Sequence, residues 1–177
     1  MRKHLFVLIA ISILAGTSCQ EKIDIPKEEE AIKALINEEI AHDFARDYIR
    51  GSETWKQENY VRMIGHSGNW HYQIVGWENI LADLKKKSEV SFPINMDISG
   101  KARDFNIQIF GQVAWAVYYQ DWGINKNDQR SVSTQSRVCI LEKVDDNWKI
   151  ALMTMTSLDP CEINIDDEIV VKPKDKE

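Results

Sequence analysis

Ile32, Ile36, Ile40, Phe44 and Tyr48 recur every four residues, with Leu35 and Ala41 beside them. That spacing draws one apolar stripe along a helix, predicted to run from Pro26 to about Arg46. Pro26 suits the first turn, and Glu28, Glu29 and Glu30 suit the positive end of the helix dipole. A second, short helix follows, with Asp47 as its N-cap and Trp55 near its end, although Gly51 weakens it. Tyr60–Ile64 reads as a strand and Trp70–Val75 as its return, joined by a Gly68-Asn69 turn. Gly76 breaks the run. Trp77, Ile80, Leu81 and Leu84 then mark a third helix, which closes on Lys85, Lys86 and Lys87 at its negative end.

From Ile94 the apolar period drops to two. Phe105, Ile107 and Ile109 alternate with Asn106 and Gln108. "VAWAVYYQDW", "SVSTQSRVCILEKV" and "WKIALMTMTSL" follow, separated by short polar turns. These are the strands of a four-stranded meander. Helices first and a long antiparallel sheet after make an α+β domain. The sheet must bury one face, and the first and third helices are the amphipathic elements available to cover it. The expected shape is a curved antiparallel sheet wrapped around the N-terminal helices, forming a cone with an internal pocket. The cone domain spans 27–158, after a polar tether at 19–26 and before a charged tail at 159–177.

The start of the chain changes this picture. "MRKHLFVLIAISILAGTSC" carries a positive n-region, an apolar run from Leu5 to Ala15 that is too short to span a membrane, and small residues before Cys19. That is the layout of an exported leader over 1–18. It resembles a bacterial lipoprotein signal, which implies that Cys19 is lipidated and holds the protein to a membrane of the cell envelope. The formal charge of the 177-residue chain is −6, and losing Arg2 and Lys3 with the leader makes the remainder more acidic. An acidic chain without a basic cluster argues against nucleic-acid binding. Export permits a disulfide between Cys139 and Cys161. A lone buried Cys139 and a free Cys161 fit their places in a strand and a tail equally well.

"EEEAIKALINEEIAHDFARDY", Trp55, "YVRMIG", "GWENI", "VAWAVYYQ" and "RVCILEKVDDNWKI" follow one another in order over residues 28 to 157. That succession resembles the SnoaL-like, or nuclear transport factor 2-like, domain. The resemblance implies a cystatin-like cone, with the 61–80 region as a hairpin and helix entry near its mouth. It also implies pairing of two copies through the outer faces of their sheets, for which Trp115 is a candidate. It does not choose an activity, because the family holds isomerases, dehydratases, cyclases, hydrolases and binding modules.

Several residues carry candidate chemistry. His66 and His71 flank the hairpin tip and read as a polar rim, with no third ligand nearby in sequence to complete a metal site. Trp70 beside them offers a large apolar face to a ligand. Arg137 interrupts an apolar strand, either as a cation for an anionic ligand or as part of a structural ion pair. Tyr118 to Trp122 form a polar-aromatic strand end on which Tyr119 and Asp121 share one face and Gln120 and Trp122 the other. Tyr119 is expected deep in the pocket, and Asp121 near the turn. The resemblance places Thr154 where similar chains carry a pocket histidine, and a threonine is no acid or base at neutral pH. Met153 and Met155 read as core or interface. There is no Gly-rich phosphate loop, nucleophile elbow or Cys–His pairing at a recognisable spacing, so no cofactor and no metal is expected. The expected function is binding of a small apolar or aromatic molecule. An isomerase, dehydratase or hydrolase of the same fold, and a protein-docking module, remain as alternatives.

Overall fold

The computed structural model describes residues 23–67, 70–90, 96–126 and 129–158. Its first helix, α1, spans Ile25–Ala45. Asp24 caps it by accepting from the Lys27 N–H, and the chain leaves it through Arg46 in the left-handed region at φ 56°. That break divides the predicted stripe. Tyr48 no longer belongs to α1 but opens α2, Tyr48–Glu53, which Asp47 caps by accepting from the Arg50 N–H. Ile32, Ile36 and Ile40 are buried on the sheet side of α1. Each contributes roughly 1.5–3 kcal/mol through its removal from water.

Beyond α2, Trp55 is buried and forms a parallel bridge to Ile150, with the Lys56 N–H donating to Ile150 and the Ile150 N–H donating to Thr54. The chain then enters β1, Arg62–Ser67, and returns in β2, Trp70–Val75. β1 lies later than the apolar pattern predicts. Gly65, His66 and Ser67 show no alternation, yet their backbone pairs with Tyr72, His71 and Trp70. Gly76, at φ 83°, turns the chain into α3, Trp77–Ser88. A side chain there would be strained.

Four long strands complete the domain: β3 Met96–Phe110, β4 Val113–Lys126, β5 Gln129–Val144 and β6 Asn147–Ser157. The hairpins outrun the apolar pattern, because cross-strand hydrogen bonding carries β4 and β5 through the polar residues as far as Lys126 and Gln129. One curved, unclosed sheet results, in the order β2-β1-β6-β5-β4-β3. All neighbours are antiparallel except β1 and β6, which run parallel.

Two irregularities bend the sheet. One lies between Arg103 and Asn106 of β3, where Asp104 takes φ 56°, and the other between Ile140 and Leu141 of β5. At the second, Ile140 faces Leu152 and Leu141 faces Ile150, which leaves Ala151 as an extra residue in β6. Such bulges sharpen twist and re-aim side chains.

The helices pack on the concave face. Phe44 of α1 lies so close over Gly100 that a β-carbon there would stand 2.0 Å from its ring. Trp148 and Lys143 both donate to the Glu28 carboxylate, each at 2.7 Å, and tie the start of α1 to the β5–β6 end of the sheet. The core runs from Ile32, Ile36 and Ile40 through Trp55, Met63, Ile80 and Leu84 to Leu141, Ile150 and Met153.

Candidate functional site

Inside the cone an apolar core gives way to a polar patch. On β4, alternation puts Ala114, Ala116, Tyr118 and Gln120 on the buried face. On β5 the same face carries Arg137 and Cys139, with Gln135 at its margin. Register places Tyr118 opposite Arg137 and Gln120 opposite Gln135. Gln120 and Arg137 are therefore diagonal neighbours, within mutual reach of long side chains. From the helical layer, Glu39 of α1 descends onto Arg137.

This Glu39–Arg137 pair is buried, with 7% and 3% of the two residues exposed. It is also loose. Arg137 Nη1 stands 3.6 Å from Glu39 Oε2, beyond a hydrogen bond. Arg137 spends its donors on neutral acceptors instead: Nε and Nη2 on Gln135 Oε1 at 3.3 and 3.1 Å, and Nη1 on Met153 Sδ at 3.4 Å. Glu39 Oε2 has no hydrogen-bond partner, and neither amide atom of the 1%-exposed Gln120 has one.

Electrostatics follow from this geometry. Burial pushes the Glu39 carboxyl up to about 7, and a near neighbour, Asp43, adds to the rise. Arg137 and Lys87 pull the other way but do not overcome the lost hydration. Burial alone would lower the Arg137 value; its neighbours, Glu39 foremost, raise it instead, and the guanidinium stays charged. Burial also raises Tyr118, whose hydroxyl lies 3.7 Å from Cys139 Sγ, and pushes the Cys139 thiol up to about 12. Both stay protonated at neutral pH. The site thus holds a permanent cation, a carboxyl that titrates near neutrality, and an unpaired amide.

A cleft between α1, α2 and α3 reaches down to Glu39, lined by His42, Asp43, Tyr48, Leu84 and Lys87. Its free volume is about 10 Å³, the space of one water. A larger groove of about 360 Å³ lies elsewhere, between α1, α2 and the β5–β6 turn, over Leu35, Glu38, Glu53 and Trp148.

Of the residues the sequence singled out, Arg137 lies in the interior. Tyr119 does not. It is 40% exposed on the outer face, with the Arg103 guanidinium 5.2 Å from its ring centre. Its neighbours Tyr118 and Gln120 take the inward face. Thr154 is also outside, between Ile64 of β1 and Val138 of β5. The extra residue Ala151 shifts the phase of β6, so Met153 and Met155 point to the core in its place.

His66 and His71 stand directly opposite each other and are exposed. The backbone of Trp70 pairs with Ser67, while its side chain lies outside the described residues. Asp121 is held by Arg103 Nε at 2.7 Å and Thr134 Oγ1 at 2.8 Å. Partial desolvation pushes its pKa up, but these hydrogen bonds prevail and leave it below the usual range. Cys139 is free and buried, and Cys161 and Cys19 lie outside the described residues. Among the described residues no three His, Cys, Asp or Glu side chains gather as a metal site, and no helix is long and apolar enough to cross a membrane.

Glu39 and Gln120 were the residues that sequence reasoning missed or left undecided. Glu39 sits three residues after Ile36, on the buried stripe of α1. A carboxylate in that stripe was the available signal.

No family model and no curated protein matches the sequence. Solved structures do match the architecture, which is the NTF2-like, or cystatin-like, fold. An NTF2-like protein with a cystatin-like fold from Novosphingobium aromaticivorans superposes with a TM-score of 0.61 at 12% identity, over 92% of this chain and 95% of its own. An NTF2-like protein of unknown function from Shewanella oneidensis aligns with a TM-score of 0.54 at 16% identity, over 73% and 98%. A ketosteroid isomerase-like protein from Erwinia carotovora aligns with a TM-score of 0.53 at 11% identity, over 74% and 96%. At these identities the likeness is one of fold.

Proposed function

We propose that the cone interior binds a small molecule with an apolar or aromatic body and one polar end fixed at the floor. The observation that carries this is Gln120, a 1%-exposed amide with both polar atoms unpaired beside a buried cation. A buried amide without partners costs about 1–3 kcal/mol, and a ligand that pairs with it recovers that cost. The free space at Glu39 holds a single water, so binding requires α1 and α3 to shift off the sheet. A thermal-shift screen of small aromatic and aliphatic compounds tests this, with Gln120→Leu as the control. Hits that stabilise the native chain and lose at least tenfold in affinity in Gln120→Leu support the reading. Hits indifferent to Gln120 place binding elsewhere.

Acid–base catalysis of the isomerase or dehydratase kind is a second reading, and the placement of Glu39 favours it. A carboxyl that titrates near 7 gives and takes protons at neutral pH. The ketosteroid isomerase-like neighbour is consistent with such chemistry without assigning it. Loss of turnover in Glu39→Gln with retained binding would install this reading over simple binding.

Two further expectations are part of the proposal. Acylation of Cys19 anchors the protein, and Cys19→Ser should release it from membranes. Two copies pair through the outer sheet face, where Trp115, Val138, Ile140 and Leu152 form adjoining positions. Trp115→Glu should then convert a dimer to a monomer in light scattering.

A further inference from the structure

If the cone interior binds a polar end, as proposed, the donors at its floor set which kind. We infer that the site takes the carboxylate of a small organic monoacid, held by Arg137 and the Gln120 amide, with the acid's apolar body against the inner sheet.

Three observations converge on this. First, Arg137 is a buried guanidinium whose hydrogen-bond acceptors are an amide oxygen and a thioether, all neutral. Its planar fork fits a carboxylate in a paired arrangement better than either of these. Second, its own carboxylate does not occupy that place. Glu39 stops at 3.6 Å, with Oε2 unbonded. Third, Gln120 Nε2 is an unused donor one register step away on the same face, ready to give the acid another hydrogen bond. One cation and one neutral amide balance one negative charge. A phosphate or a diacid would bring a second charge with no partner. The stacked pair Phe105–Tyr118, with ring centres 5.3 Å apart, and Met155 supply apolar surface for the body of the ligand.

The arrangement couples binding to a proton. Two carboxylates sharing one guanidinium in a dry site do not both stay ionised. The arriving acid takes Arg137, and Glu39 accepts a proton. Other groups around Glu39 do not replace it in this role. From β4 and β5, Tyr118 and Cys139 are already protonated, and Arg137 does not titrate. From α1, His42 and Asp43 face the cleft, as do Arg46, Asp47 and Tyr48 at the α1–α2 joint and Lys87 from α3. These line the wet side and give the proton its route to Glu39. At pH 8, where Glu39 is ionised in the free protein, binding takes up close to one proton. At pH 5.5 it takes up almost none.

The test uses the full chain and matched pairs of probes: acetate with acetamide, benzoate with benzamide, and 1-naphthoate with 1-naphthamide. Titration calorimetry at pH 8 and pH 5.5, in buffers of different ionisation enthalpy, reads affinity and proton uptake together. At least one acid should bind at least tenfold more tightly than its amide. Its uptake should approach one proton at pH 8. Glu39→Gln should keep binding of the acid and abolish the uptake, and Arg137→Lys should weaken the acid at least tenfold more than its matched amide.

Amides equal to or better than their acids overturn the carboxylate inference and leave small-molecule binding standing. Acid binding without proton uptake overturns the coupling through Glu39. If no acid binds while an uncharged compound binds in a Gln120-dependent way, the inference falls and the broader reading survives. If nothing binds at all, both fall.

Discussion

Among the described residues an arginine of the sheet meets a carboxylate on each face, Arg103 with Asp121 outside and Arg137 with Glu39 of α1 inside, and the two contacts behave in opposite ways. On the outer face Arg103 grips Asp121 through two nitrogens, at 2.7 and 3.2 Å, with both side chains about 30% exposed. On the inner face Arg137 and Glu39 are buried and stand 3.6 Å apart without a hydrogen bond. The tight pair holds its carboxyl below the ordinary range, and the loose pair lets its carboxyl rise to about 7. Contact distance and hydration together decide which way a carboxylate moves. A well-made pair at the rim is mainly structural, whereas a buried pair left unmade is chemically available.

The largest effect expected from breaking this comparison is at Arg137. Arg137→Ala removes a buried cation together with its packing, and should cost about 3–5 kcal/mol in urea denaturation at pH 7. Replacing both partners, as Arg137→Met with Glu39→Leu, should recover most of that loss, because no buried charge remains. A double variant no more stable than Arg137→Ala would mean that the pair itself holds the fold.

A smaller effect separates the two faces by the sign of their pH dependence. The folded Glu39 value lies above its unfolded value, so the folded state holds more protons between the two. Its stabilising contribution is complete below about 4.5 and is lost as pH rises through about 7, by a few kcal/mol. Asp121 acts in the opposite sense: its contribution is present above its unfolded value of 3.8 and fades as the solution is acidified. Glu39→Gln should flatten the upper window only, and Asp121→Asn the acid limb only, as read from melting temperature against pH.

Arg103→Ala should have the smallest effect. An exposed pair of this kind is worth about 0–1 kcal/mol, and the loss should shrink further in 0.5 M salt. A loss as large as that at Arg137 would erase the contrast between the faces.

Much of the architecture was legible in the sequence, because burial there follows simple periods. The stripe Ile32–Ile36–Ile40, the turn at Gly76 and the alternation in β3 to β6 each dictated their elements. The site was less legible, for physical reasons. In β4 both faces carry aromatics, so composition alone could not choose between Tyr118–Gln120 and Tyr119–Asp121. In β6 the phase counted from Ile150 puts Thr154 inside, and the one-residue bulge at Ala151 reverses it. Glu39 was legible only as a carboxylate lying in the isoleucine stripe of α1; that it meets Arg137, far along the chain on β5, could not be read from spacing.

The parallel pairing of β1 with β6 has a kinetic consequence. β3 to β6 are sequence neighbours and zip together through short turns, whereas β1 pairs Arg62 with Leu152 and Ile64 with Thr154 across the full span of the meander. Loops that long close late, after the local contacts have formed. The β1–β2 flap should therefore be the last part to dock on the folding chain and the first to lift from the native one. Amide exchange should run fastest in β1 and β2 and slowest across β4 and β5. Uniform protection over all six strands would refute that order. With β1 and β2 exchanging fastest, the flap is the fold's weakest seam, giving the buried floor intermittent contact with solvent without unfolding the rest.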